Sequence, residues 1–260
     1  MKIFLCINPN KAREVACVAE ITDWCREHLH ITDSVEEADA IITLGGDGTL
    51  IYAMGMYGTR YTYAGINVGH LGFLTTAERD TYRTVCNDIF IHGNYCEEKL
   101  FYLTYAYHGG VGTAINDVVI KGESISKAVH LDVTVNGQLL YRHVGDGIIA
   151  STPAGSTAYN LSVGGCIMHP STKAFILNNI APHLLSVRPL ILNEHDELQI
   201  CPVSEGARLI VDGKDSIPFH KPITLHLSKD SNRLMRPKNW HFYELLRNKM
   251  SWGQRNGNNS

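Results

Sequence analysis

Two textures along the 260-residue chain predict its fold class: an α/β N-terminal domain with a parallel sheet, then an all-β domain, with a C-terminal helix packing back on the first. Up to about Leu100, short apolar runs alternate with stretches of helical spacing, which is how βαβ units read. Beyond it, strand-like segments are punctuated by tight turns, as in antiparallel sheets. The expected domains are residues 1–100 together with about 237–260, and residues 101–236 between them.

Ile3 to Ile7 is an apolar run too short for a signal-peptide core or a bilayer span, and it reads as a buried first strand. Ala12, Val15, Ala16 and Ala19 follow at helical spacing, and Ala40 to Leu44 is a second buried strand. A helix over Leu50 to Tyr57 comes after the glycine-rich loop. Thr75 and Glu78 have capping-box spacing, and Tyr82, Val85, Cys86, Ile89 and Phe90 share one helical face, so a helix is predicted over 75–90. In the second texture Leu131, Val133 and Val135 alternate before Asn136-Gly137, a hairpin signal that Asp212-Gly213 repeats within "ARLIVDGKDSIPF". A helix-like segment, Ser171 to Ile180, interrupts the strands. Phe242, Leu245, Leu246 and Lys249 or Met250 form the stripe of the last helix, and Gln254 to Ser260 is expected to fray.

Hydrophobic residues make up 44% and charged residues 19%, ordinary values for a chain with a packed core. A net charge of −3 argues against a general electrostatic grip on nucleic acid or an anionic membrane, so an anionic ligand has to be held locally. Neither nucleic acid nor membrane is expected as a partner. The seven cysteines include no CxxC pair and no histidine at zinc-finger spacing, and the thirteen histidines include no HExxH. Reduced thiols in a cytoplasmic protein are expected, with no metal site built from protein side chains.

The chemistry concentrates in two stretches. In "TLGGDGTLIYA" an apolar strand leads through Gly45, Gly46, Asp47, Gly48 and Thr49 into a helix, the arrangement in which backbone N–H groups can meet phosphate. Such a cluster can also be only a turn. A carboxylate beside phosphate is repulsive unless a cation lies between them or it has a proton to take, so Asp47 asks for a reason. The second stretch, "GDGIIASTPAGSTAYNLSVGG", follows Asp146 with a strand, a proline turn and a run of hydroxyls. It reads either as a helix-capping surface turn or as a ribose and base pocket in which Tyr159 offers a flat face. A GxSxG elbow is absent, which leaves serine-hydrolase chemistry unsupported.

These two stretches, with "NVGHLGFL" at Asn67 to Leu74 and "VDGK" at Val211 to Lys214, resemble the NAD kinases in order and approximate spacing over nearly the whole chain. GGDGT alone is shared with diacylglycerol, sphingosine and phosphofructokinase relatives; "TPAGSTAY" with "GHLGFL" is far more specific. The resemblance implies an α/β nucleotide-binding domain, a C-terminal β-sandwich contributing the dinucleotide pocket, and a homodimer or homotetramer. It implies transfer of the ATP γ-phosphoryl group to the 2′-hydroxyl of the adenosine ribose of NAD, with Mg²⁺ or another divalent metal carried by ATP. Asp47 would be the general base, and Gly45, Gly46, Gly48 and Thr49 the phosphate loop.

Carried over in the same way, Asn116, Asp117, Asp146, Thr157, Ala158, Tyr159 and Ser162 would bind NAD. Asp117 stands where the family usually has glutamate, Ala154 where threonine or serine is common, and Cys166 where proline is common. His70, Leu71, Gly72, Phe73 and Asp212 complete the implied set, although His70 also reads as a turn histidine, Asp212-Gly213 as a hairpin turn and Asn116-Asp117 as a strand end. Two further classes stay open on the residues alone: a lipid or sugar kinase of the GGDGT group, and a non-catalytic dinucleotide-binding regulatory module.

Overall fold

The computed structural model describes residues 1–7, 15–69, 71–124, 126–214 and 216–252; Ala12, His70 and the tail 254–260 lie outside the described residues. The chain forms two compact units, Met1–Glu98 with Arg233–Ser260, and Lys99–Asn232.

The first unit is built on a parallel sheet. Strands β1 (Ile3–Ile7), β2 (Ile31–Thr32), β3 (Ala40–Leu44) and β4 (Thr62–Asn67) lie in the order β2-β1-β3-β4, with β5 (Ala77–Glu78) parallel to the end of β4. All five residues of β3 are buried, as expected of a parallel strand covered on both faces. Helix α1 (Val15–His28) joins β1 to β2, α2 (Asp47–Tyr57) joins β3 to β4, and α3 (Tyr82–Cys86) continues into a π-helical turn, Asn87–Ile91. The core gathers Ile3, Ile42, Leu44 and Ile66 from the sheet with Ile21, Tyr82 and Ile89 from the helices.

The second unit is a sandwich of antiparallel strands. Its strands are β6 (Tyr95–Tyr107), β7 (Gly110–Ala114), β8 (Asp117–Gly122), β9 (Val129–Val135), β10 (Gln138–Gly145), β11 (Gly147–Ser151), β12 (Ala174–Ile180), β13 (Leu190–Asn193), β14 (Leu198–Pro202), β15 (Ala207–Val211), β16 (Ile217–Phe219) and β17 (Ile223–Pro237), with the first residues of β6, up to Glu98, and the last of β17, from Arg233, belonging to the first unit. One sheet runs β13-β12-β11-β8-β15-β16; the other includes β10-β9-β14-β17, with β6 pairing β17 and β7. Alternate residues of the two sheets, among them Val118, Ile120, Ile148 and Phe175 against Leu131, Val133, Ile200 and Leu225, make the apolar layer between them. Asn136 (φ 51°) and Gly137 (φ 77°) turn β9 into β10 with both residues left-handed, the type I′ geometry the Asn-Gly pair predicts. A 3₁₀ turn, Ala154–Thr157, and the short α4 (Tyr159–Ser162) follow β11. The chain closes with α5 (Phe242–Lys249) in the first unit; Phe242 and Leu246 are buried, as its stripe requires.

Three expectations are corrected. Ser171 to Ile180 is not helical: Ala174–Ile180 is a strand buried along its whole length, and a continuous apolar run carries no alternation to separate the two states. The segment from Thr75 starts no helix. Ala77 and Glu78 pair with β4, and α3 begins only at Tyr82, because tertiary pairing overrides the local capping signal. In α1 the buried face is Cys17, Ile21 and Cys25 while Ala16 and Ala19 are exposed, since alanines bury too little area to orient a helix against bulkier neighbours. None of the seven cysteines forms a disulfide, and four of them are buried. Among the described residues no helix is long and apolar enough to cross a membrane.

Candidate active site

In the first unit, β3 delivers the chain to Gly45 and α2 starts at Asp47, with Gly46 as its cap. A Cβ on Gly45 would lie 2.1 Å from Thr49 Oγ1, so glycine lets the turn close over the first helical turn. A Cβ on Gly48 would meet nothing within 4 Å, so packing alone does not call for glycine there. The Asp47 carboxylate is held at both oxygens: Phe73 N–H donates to Oδ2 at 2.7 Å and Leu74 N–H to Oδ1 at 2.9 Å. Gly72 permits this closeness, because its Cβ would fall 2.3 Å from Asp47 Oδ1.

The same segment is gripped from its carbonyl side by Arg236. Nη2 donates to Phe73 O (3.2 Å), and Nη1 to Leu74 O (3.2 Å) and Thr75 O (2.7 Å). Nε donates to Glu98 Oε2 at 2.9 Å, and the Trp240 ring lies 4.0 Å from the guanidinium carbon. Burial pulls the Arg236 guanidinium below its ordinary value; the Glu98 carboxylate opposes this, with a further contribution from Asp47. Nearby, Glu78 accepts from Asn67 Nδ2 at 2.8 Å, and burial pushes its carboxyl up.

In the second unit, Asp212 is more than a turn residue. It takes a left-handed φ of 49° after β15, and its carboxylate accepts the N–H groups of Ile115 (2.9 Å), Asn116 (2.7 Å) and Asp117 (3.2 Å). Thr152 secures the same segment from the other side, donating through Oγ1 to Ile115 O at 2.6 Å and through N–H to Asn116 O at 2.8 Å. Gly155 packs directly on it, since a Cβ there would lie 2.1 Å from Asn116 O. Asn116 Oδ1 is buried with no hydrogen-bond partner among the described residues. The Asp117 carboxyl is pushed up to about 7, by burial first and by the Asp212 charge second. Burial also raises Asp212, and the three N–H donors work against that rise. Asn160 braces the turn that follows: its Nδ2 donates to Ser156 O (3.1 Å) and Cys166 O (3.2 Å), and its Oδ1 accepts from Asn178 (3.1 Å).

The fold therefore assembles Asn116, Asp117 and Asp212 with the turn carrying Thr157, Ala158, Tyr159 and Ser162, of which Tyr159 and Ser162 are exposed. Asp146 is not brought to this cluster within the chain. It precedes β11, whose other end, Ser151, pairs with Asp117; five extended residues, roughly 17 Å, separate the two ends. In the first unit Gly45 to Thr49 join Gly72 and Phe73, while Leu71 is exposed. Arg236, Glu98, Thr152 and Asn160 carry the geometry without having been singled out in the sequence. A lone arginine in a strand or an asparagine in a polar turn gives no local signal of its partners.

The first unit is an α/β domain in which a strand, glycine loop and helix fix one carboxylate, and the second is a sandwich that gathers a small polar cluster at its turns; these two define the fold class. Two solved structures share it: the yeast NADH kinase complexed with NADH (TM-score 0.86, 20% identity, all of this chain and 90% of that one) and an NAD kinase from Archaeoglobus fulgidus in complex with ATP (TM-score 0.80, 22% identity, 96% and 98%). Residues 6–95 match the model of the ATP-NAD kinase N-terminal domain and residues 115–235 that of the ATP-NAD kinase C-terminal domain. An NAD kinase from Prosthecochloris aestuarii is 31% identical over 97% of this chain and 98% of its own length, and one from Thiobacillus denitrificans is 32% identical over 90% and 83%. The chain belongs to the NAD kinase family. Its activity is ATP-dependent phosphorylation of NAD to give NADP.

Proposed function

We propose that Asp47 is the general base of this reaction. The observation that carries the reading is the hold on its carboxylate: each oxygen accepts one backbone N–H, from Phe73 or Leu74, which fixes its plane and leaves each oxygen a further lone pair. A half-buried carboxylate so fixed can accept the hydrogen bond of a ribose hydroxyl and then its proton. As the 2′-oxygen forms its bond to the γ-phosphorus, the bond from that phosphorus to the β–γ bridging oxygen breaks, ADP leaves, and the hydroxyl proton passes to Asp47.

The donor phosphates are assigned to the amides of Asp47 and Gly48 at the start of α2, since the next amide, that of Thr49, is spent on Gly46 O at 3.0 Å. Gly48 supports this: an exposed glycine with open space around it suits close approach by a ligand. A divalent cation, Mg²⁺, would arrive on the nucleotide phosphates, whose oxygens are the hard ligands it takes. When bound it offsets their negative charge.

In the second unit we assign the polar groups of NAD to Asn116 and Asp117, and a flat ring to the exposed face of Tyr159. The unpartnered, buried Oδ1 of Asn116 supports a ligand donor there. Asp146, set apart at the far end of β11, keeps a more distant role in dinucleotide binding. Exposed Leu184, Leu185, Leu190 and Ile191, on and before the edge strand β13, support a homodimer or homotetramer. Seven reduced thiols suit the cytoplasm.

The test is NADP formation from NAD, ATP and Mg²⁺ by the wild type and Asp47→Asn, with NAD binding measured by calorimetry on both. The base reading expects unchanged binding and a kcat loss of about 10³-fold or more. Turnover by Asp47→Asn within about tenfold of the wild type would remove Asp47 from that role.

A further inference from the structure

Arg236 is wholly buried, yet most of its hydrogen bonding is spent on one short stretch of backbone. Three of its four donations go to successive carbonyls, those of Phe73, Leu74 and Thr75, and the fourth to Glu98. The amides of that stretch hold Asp47. The peptide group joining Phe73 to Leu74 is bonded at both ends: its carbonyl accepts from Arg236 Nη2 and its N–H donates to Asp47 Oδ1. Conjugation along the C–N bond makes such a group a relay, because density drawn toward the carbonyl oxygen sharpens the N–H as a donor. An arginine that served only to fill the core would have no need to bond three consecutive carbonyls behind a reactive carboxylate.

We propose that Arg236 is a positioning residue for phosphoryl transfer, fixing the direction of the Asp47 carboxylate, and the electrostatic potential at it, through the Phe73-Leu74 peptide group. Glu98 sets how much of the guanidinium charge reaches Asp47. The inference rests on Asp47 being the base. The other charged or titratable groups around the relay are Glu78 behind β4, Cys96 on β6, whose thiol lies 3.7 Å from Arg236 O, and Lys249 of α5, whose ammonium lies 4.2 Å from the Phe73 ring centroid. None of them bonds the 73–75 carbonyls, so the direct lever on that stretch is Arg236.

Two variants of the full chain separate positioning from packing. Glu98→Gln keeps an oxygen for Arg236 Nε but removes the countercharge, so more positive potential reaches Asp47. The acid limb of the kcat–pH profile should then move down by ~0.5–1 pH unit. Glu98→Gln combined with Arg236→Met removes both charges without stranding either. Its acid limb should move up, with kcat falling about 10–100-fold and KM for NAD changing less than about threefold.

Activity is read from pH ~2.5 to ~8, a window that brackets an aspartate's acid limb on both sides, by jumping enzyme held at neutral pH into each buffer, with circular dichroism checking that the variants are folded. Opposite displacements of the acid limb are the expected result, and general damage to packing does not produce them. If the double variant fails to fold, Glu98→Gln alone decides: a limb that stays in place overturns the inference. Asp47→Asn keeps the two readings apart. Retained turnover in that variant defeats the assignment of the base, whereas lost turnover with an unmoved Glu98→Gln limb defeats only the role of Arg236.

Discussion

Asp117→Asn isolates the cost of an acid placed in the core of the second unit. The Asp117 carboxyl lies at about 7 against an ordinary 3.8, because burial and the neighbouring Asp212 charge both disfavour ionisation. A carboxyl raised on folding favours the folded state while it stays protonated. That contribution is complete below about 3.8 and is lost as pH rises through about 7. If Asp117 bore the whole displacement, the loss at alkaline pH would be ~4 kcal/mol. Burial raises Asp212 as well, and because the Asp212 charge is one cause of the Asp117 rise the two titrate as a pair; replacing Asp117 should recover about 1–3 kcal/mol. For a chain of this size that is a rise in Tm of about 3–8 °C at pH ~8.5, shrinking toward zero near pH ~4. The assay is thermal unfolding of both proteins across this range by calorimetry, with the difference in Tm plotted against pH so that titrations common to both cancel. Parallel curves, or a variant less stable at every pH, would refute the reasoning.

Gly72→Ala should reach Asp47 and, beside it, the Thr75 hydroxyl, 2.7 Å from the added Cβ. A Cβ 2.3 Å from Oδ1 must push the carboxylate off the Phe73 and Leu74 amides, and kcat should fall about 10–100-fold with the circular dichroism unchanged. Wild-type kcat in Gly72→Ala would show that the carboxylate does not need that seat. Tyr159→Ala removes a ring that is 40% exposed and so contributes little to the core. KM for NAD should rise about 3–10-fold with little change in kcat or Tm, and an unchanged KM would take Tyr159 out of the pocket.

The fold class was legible because period and punctuation report it directly: β1 and β3 as apolar runs, the Asn136-Gly137 turn, the stripe of α5. Misreadings came where local signals compete with tertiary pairing. Ala174–Ile180 has both faces covered and shows no alternation, and Thr75 to Glu78 carries a cap-like pair that the structure uses beside β4, with Thr75 Oγ1 donating to Glu78 Oε1 at 3.4 Å.

Within the candidate site, Asp47 stood out because glycines on both sides and a strand before it leave few purposes for a carboxylate. Its hold did not stand out, since Phe73 lies 26 residues away and Arg236 reaches back 162 residues to Leu74. Asp212 was hidden differently. Asp-Gly is a sufficient account of a hairpin, and nothing local shows that the same carboxylate bonds three amides about 95 residues earlier. Asp146 was carried over with its neighbours in sequence, and a strand's length of extended chain then set it apart from them.

The division of the first unit into Met1–Glu98 and Arg233–Ser260 sets a schedule for biosynthesis. As the chain leaves the ribosome, Asp47 and the backbone that will seat it are made early, whereas the guanidinium behind that backbone is made only after the whole sandwich has been translated. The strand segment that pairs with Thr62 and Tyr63, Arg233 and Leu234, is equally late. A nascent chain can therefore complete its second unit while the first still waits for its last strand. Catalytic competence would wait for Arg236, leaving partial products that stop before it folded in one half and inert in the other.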